Sequence, residues 1–79
     1  MSDSTFTVVR HVLAEGLSVD ESVVTPDARL NEDLGADSLD AVEIIMSLEE
    51  EFDIEIEPAQ AEGMRTVQAL VDLVDSLKS

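Results

Sequence analysis

Three observations predict an all-α fold. Apolar residues recur at helical spacing in three separate segments. The one stretch of period-two alternation, Phe52-Asp53-Ile54-Glu55-Ile56-Glu57, has no plausible partner strand, and a lone strand is not stable. The chain has 79 residues and no cysteine, so residues 1–79 are read as one domain without disulfide or thiolate staples. Its small core must offset ~1–2 kcal/mol of backbone entropy per ordered residue.

Residues 5–17 read as the first helix. Phe6, Val9, Val12, Leu13 and Leu17 share one arc of the helical wheel, and Thr7, Arg10, His11 and Glu15 fall elsewhere. Gly16 and Ser18 mark its end. His11 is read as a solvated surface histidine, with no cysteine or second histidine near it.

Residues 18–36 form a long first loop. Val19, Val23, Val24, Leu30 and Leu34 recur without a sustained period, and Pro26 interrupts them. The spaced apolar side chains are expected to pin this loop across the bundle; loops of such length are usually functional. Asp33-Leu34-Gly35 turns the chain into the next helix, with Gly35 free to take a positive φ.

The strongest helical pattern covers residues 38–52. Asp37 is a good N-cap, and Asp40 lies favourably in the first turn. Ala41, Ile44, Ile45, Leu48 and Phe52 form the expected core face. Leu39, Val42 and Met46 form a second arc, bordered by Glu43, Glu49 and Glu50. Ser38 projects between the two faces. One packed neighbour needs only one stripe, so the second, rimmed by acids, reads as a docking surface.

Beyond this helix, residues 52–57 are expected to be an extended link that inserts Ile54 and Ile56 into the core. Pro58 fits the first position of a short helix, about residues 58–62, closed by Gly63. Thr66 caps the last helix, residues 67–77, whose buried stripe is Val67, Leu70, Val71, Val74 and Leu77.

Charge narrows the function. Nineteen acids against four Lys and Arg give a formal net charge of −15. Such a chain repels nucleic acids and anionic membrane surfaces and seeks basic protein surfaces. No signal-type or membrane-spanning apolar segment is present, so a soluble, cytoplasmic location is expected. A nucleophilic serine needs a base within hydrogen-bond reach, and the single histidine lies on the polar face of another helix. A small hydrolase centred on Ser38 is therefore disfavoured. Twelve acids crowd residues 32–62 with no Lys or Arg among them. Acidic runs of this kind are more often solvated faces than catalytic pairs, and the EF-hand spacing is missing, so no metal site is assigned. Asp-Ser-Leu is common by chance, and alone Ser38 is an ordinary first-turn residue. Its position at the head of a helix with an acid-rimmed apolar strip makes it a candidate attachment point.

Gly35-Ala36-Asp37-Ser38-Leu39-Asp40 resembles the attachment motif of the acyl carrier proteins, the free-standing carriers of dissociated fatty acid synthesis above all. The likeness continues through Val42-Glu43, through Glu49-Glu50-Glu51-Phe52-Asp53-Ile54-Glu55-Ile56, and to Asp33-Leu34 and Thr66-Val67. The resemblance implies a four-helix bundle with a short third helix, monomeric and without catalysis of its own. It implies that a phosphopantetheinyl transferase, with coenzyme A and Mg²⁺, places 4′-phosphopantetheine on Ser38. The arm then carries fatty acyl chains as thioesters to the biosynthetic enzymes. Asp37, Asp40, Glu43, Glu49, Glu50 and Glu62 would face basic patches on those partners, with Leu39, Val42 and Met46 as a shallow apolar contact.

The resemblance further implies that an acyl chain can fold back among Leu30, Leu48, Phe52, Ile56, Ala61, Met64 and Leu70; plain core packing explains the same residues equally well. Asn31, Ala41, Leu70 and Arg65 depart from the family's usual pattern, which bears on chain length and partner choice. Two alternatives accompany this reading. One is a pathway-specialised carrier of a polyketide or other acyl or aminoacyl group. The other is an unmodified acidic interaction module that would use the same carboxylates without needing Ser38.

Overall fold

The computed structural model describes residues 2–57, 59–60 and 63–78, with residues 2–4 given by their backbone alone. Among these residues there are three α-helices and no strand: α1 (Ser2–Leu17), α2 (Ser38–Phe52) and α3 (Val67–Lys78). Helix α1 packs against both of the others. The apolar arcs read from the sequence meet there. Val9 and Leu13 of α1, Ile44 and Leu48 of α2, and Val67, Leu70, Val71 and Val74 of α3 are all buried in one cluster. Fully burying each such side chain stabilises the fold by about 1.5–3 kcal/mol.

Helix α1 begins three residues earlier than its apolar periodicity indicates, at Ser2 rather than residue 5. Periodicity starts only at the first apolar residue, so the polar residues before it carry no such signal. Thr5 is fully buried, and its hydroxyl donates to Asp75 Oδ1 at 2.5 Å, tying α1 to α3. At the other end, Ser18 takes a left-handed conformation (φ 57°) and the Val19 amide donates back to the Ala14 carbonyl, closing the helix. α1 and α2 approach closely at Gly16, where a Cβ would stand 3.2 Å from Ile44 Cγ1.

The long loop is pinned, as its spaced apolar residues predict. Val24 and Leu34 are buried, joined by Ala28 and Ala36, while Val19 and Leu30 are half-buried. Val23 is a correction: it ends a 3-10 turn, Glu21–Val23, that carries it outward to 49% exposure. Asp20 caps that turn by accepting the Ser22 amide, which holds its carboxyl below the ordinary range. The loop is then sewn to the entrance of α3. The Leu30 amide donates to the Arg65 carbonyl, Val67 to Ala28 and Gln68 to Pro26, around an isolated antiparallel bridge between Arg29 and Thr66. Gly35 has φ +73°, and a Cβ there would meet nothing within 4 Å, so the backbone conformation and not space calls for glycine.

Residues 54–57 form an irregular link with Ile56 buried and Ile54 half-buried. Of the short helix expected at 58–62, Ala59 and Gln60 are helical, whereas Pro58, Ala61 and Glu62 lie outside the described residues. The Gln60 side chain accepts the Glu57 amide and the Gln60 amide donates to the Glu57 carbonyl, a helix-entry pattern. The Thr66 hydroxyl accepts the Ala69 amide and so caps α3.

Candidate functional site

Helix α2 starts where the sequence places it because its first turn is doubly capped. Asp37 Oδ1 accepts the Asp40 amide at 2.9 Å, and Asp40 Oδ2 accepts the Asp37 amide at 3.3 Å. Ser38 is the first helical residue inside that box, and it is exposed. Beside it the second stripe stands open: Leu39 is 71% exposed, Val42 57% and Met46 55%. Exposure this high on three large apolar side chains of one helix is unusual for a surface with no partner.

Ser38 opens onto a groove of about 1350 Å³, larger than a closed small-molecule pocket and better described as a trough. Ala41, Val42, Ile45 and Met46 of α2 form one wall. Leu30, Met64, Arg65, Leu13, Ile56 and Leu70 also line it. Ala41 is a second correction. It is exposed and belongs to the trough, not to the core face. Three residues past Ser38, that position lies at the open end of the core face, where the trough begins.

Of the residues expected to line an acyl pocket, Leu30, Ile56, Met64 and Leu70 line the trough. Leu48 is fully buried in the core cluster and does not line it. Phe52 is half-buried at the far end of α2, with the Lys78 ammonium 5.6 Å from its ring centre. Ala61 lies outside the described residues. Sequence periodicity did not mark Arg29, Asn31 or Ala36 as trough residues, because they belong to a loop whose course is set by its pairing with residues 65–68.

The expected docking acids divide in two. Asp37, Glu43 and Glu50 are exposed, and Asp40 is half-buried within the capping box. Glu49 is half-buried, and its Oε2 accepts the Ile56 amide at 2.8 Å, so it braces the link after α2. Glu62 lies outside the described residues.

Among the described residues, no base is hydrogen-bonded to Ser38. His11 contacts Glu15 at 3.2 Å and Glu21 at 3.3 Å, and it borders a separate cleft between α1 and α2, with Glu43 and Ser47. Arg29 is bound to Glu32 at 2.7 Å, and that hydrogen bond holds its guanidinium pKa above the ordinary value. Asp37, the acid nearest in sequence, spends its Oδ1 on the cap.

What the arrangement offers instead is an accessible hydroxyl at a helix N-terminus, a favourable place for a phosphate ester, with a trough leading away from it. A family model described as "Phosphopantetheine attachment site" matches residues 7–74. That span holds the whole of α2 and the trough walls and ends within α3.

Proposed function

The chain belongs to the phosphopantetheine attachment-site family, and on that footing we propose that Ser38 is the residue that carries the arm and that the protein is an acyl carrier of fatty acid synthesis. Domains of this family are carriers, and the group they hold is covalent 4′-phosphopantetheine. The observation that carries the assignment is the exposed Ser38 hydroxyl at the head of a capped helix, beside three exposed apolar side chains and the mouth of a trough.

The residues present fit the group. An anionic phosphodiester on Ser38 Oγ would stand at the positive end of the α2 dipole. It would form on a phosphopantetheinyl transferase by attack of the Ser38 hydroxyl on the pantetheine-side phosphorus of coenzyme A, breaking the pyrophosphate bridge and releasing adenosine 3′,5′-bisphosphate and the hydroxyl proton. Once bound, the arm supplies a terminal thiol that holds an acyl chain as a thioester. This chain's own residues position and present it; they do no chemistry on the cargo.

Presentation calls for quick, reversible docking. A net charge of −15 steers basic partners at range, and steering raises on-rates without demanding a large buried interface. Asp37, Asp40, Glu43 and Glu50 supply the charge around Leu39, Val42 and Met46. The tether raises the effective concentration of cargo at whichever enzyme is docked. The trough, with Leu30, Ile56, Met64 and Leu70, is the place where an acyl chain would shelter in transit. We take the chain to be a single carrier domain of the four-helix type, monomeric and cytoplasmic.

Intact mass tests the assignment. Apo protein incubated with coenzyme A, Mg²⁺ and a broad-specificity transferase should gain one arm, and Ser38→Ala should gain none. An unchanged wild-type mass beside a working control carrier would sink the proposal and favour an unmodified acidic interaction module.

A further inference from the structure

The four bases of this chain are not alike. Arg10 lies 3.4 Å from Glu21 and over the Phe6 ring, Arg29 is bound to Glu32, and Lys78 stands over Phe52. Arg65 is different: among the described residues its side chain has no acidic or aromatic partner, although the chain carries nineteen acids. It is exposed, and it lines the trough onto which Ser38 opens.

Its mount is rigid. The Arg65 carbonyl accepts the Leu30 amide at 2.9 Å, and the Leu30 carbonyl accepts the Ala36 amide at 2.9 Å. The backbone of Leu30 thus joins Arg65 to Ala36, two residues before Ser38. Thr66, next in sequence, is held by the bridge to Arg29 and caps α3. An arginine so anchored gives up little backbone freedom when it binds.

We infer that Arg65 is an anion-binding residue of the trough and that its ligand is the phosphodiester of the arm on Ser38. The planar guanidinium fork matches phosphate oxygens in pairs, which an ammonium does not. The other charged groups lining the trough are committed elsewhere: Arg29 and Glu32 to each other, Asp37 to the cap. The surrounding field selects the ligand's source. A charge of −15 keeps free anions away, whereas a phosphate fixed to Ser38 cannot leave, so tethering supplies the concentration the field denies. Arg65 is thus a positioning residue that draws the root of the arm toward the trough.

This inference rests on Ser38 carrying the arm, and the intact mass of each sample checks that separately. The test follows the ¹⁵Nε resonance of Arg65 and the ³¹P resonance of the arm. On conversion from apo to holo protein, Arg65 Nε should move while Arg10 Nε stays still. In holo Arg65→Gln the ³¹P signal should return to the position of an unbound phosphodiester, with Arg65→Lys between. Inorganic phosphate added to apo protein should leave Arg65 unmoved.

A fully loaded sample in which Arg65 Nε does not respond overturns the inference. So does an equal response to inorganic phosphate, which would remove the role of the tether. A response seen with a malonyl cargo but not with an acetyl cargo or the bare arm would transfer the site to a cargo carboxylate and overturn the phosphodiester assignment.

Discussion

Asp37 and Asp40 hold each other's backbone across the first turn of α2, with Ser38 enclosed between them. Two like charges three residues apart would ordinarily repel. Here each accepts an amide that the helix start would leave unpaired, and both sit at the end of the dipole that favours negative charge. The cap should therefore matter more to stability than either charge. Asp37→Ala should cost about 1 kcal/mol, within the 0.5–2 kcal/mol range of such caps, and Asp37→Asn only a few tenths. Urea unfolding with a common slope measures both. Equal losses in the two variants would show that charge rather than the acceptor atom sustains the turn.

A second site on the same helix is strained where the first is satisfied. Asp53 closes α2 in the left-handed region, φ 54° and ψ 52°, with the Ile54 amide returning to the Glu49 carbonyl. A side chain in that conformation is disfavoured, and an acid at a helix C-terminus faces the negative end of the dipole. Asp53→Gly removes both penalties at the expense of a freer unfolded chain. The expected gain is about 0.5–1 kcal/mol, or roughly 4–8 °C in Tm per kcal/mol for a domain of this size. Asp53→Ala keeps the positive φ and should gain less. Loss of stability in Asp53→Gly would mean that the Asp53 carboxylate contributes more than its backbone costs.

The helices were legible because their cues are local. Period and N-cap mark α2 over its observed span, and four of the five residues in the apolar stripe of α3 are buried. The exposed strip Leu39, Val42 and Met46 was legible as well, since a helix has only so much face to give to a core. The trough was not. Part of its lining comes from residues 29–32, 35–36 and 64–66, brought together by backbone hydrogen bonds such as Leu30 to Arg65 that leave no periodic trace. The exposure of Ala41 leaves no trace for a related reason: the wheel gives an angle but not where packing on that face ends. Residue type alone groups Glu49 with the docking acids, and only its 2.8 Å hydrogen bond from the Ile56 amide separates it from them.

That separation yields a paired prediction. Glu49 is half-buried and supports the Ile56 amide, whose side chain is a core residue, while Glu43 is exposed with no hydrogen bond or ion pair among the described residues. Glu49→Ala leaves a part-buried donor without its acceptor and should cost about 1–3 kcal/mol; Glu49→Gln keeps a carbonyl there and should cost less. Glu43→Gln should leave stability within about 0.5 kcal/mol, as surface changes usually do. Function should divide the opposite way. Glu43→Gln removes a steering charge, so the second-order rate of arm transfer should fall and its dependence on salt should flatten. Glu49→Gln, its charge already turned toward the link, should change the rate less at equal folded fraction. The measurements are urea unfolding of each variant and transfer rates at two ionic strengths. If Glu49→Gln instead slows transfer more than Glu43→Gln while remaining fully folded, Glu49 meets the partner directly and the brace on Ile56 is secondary.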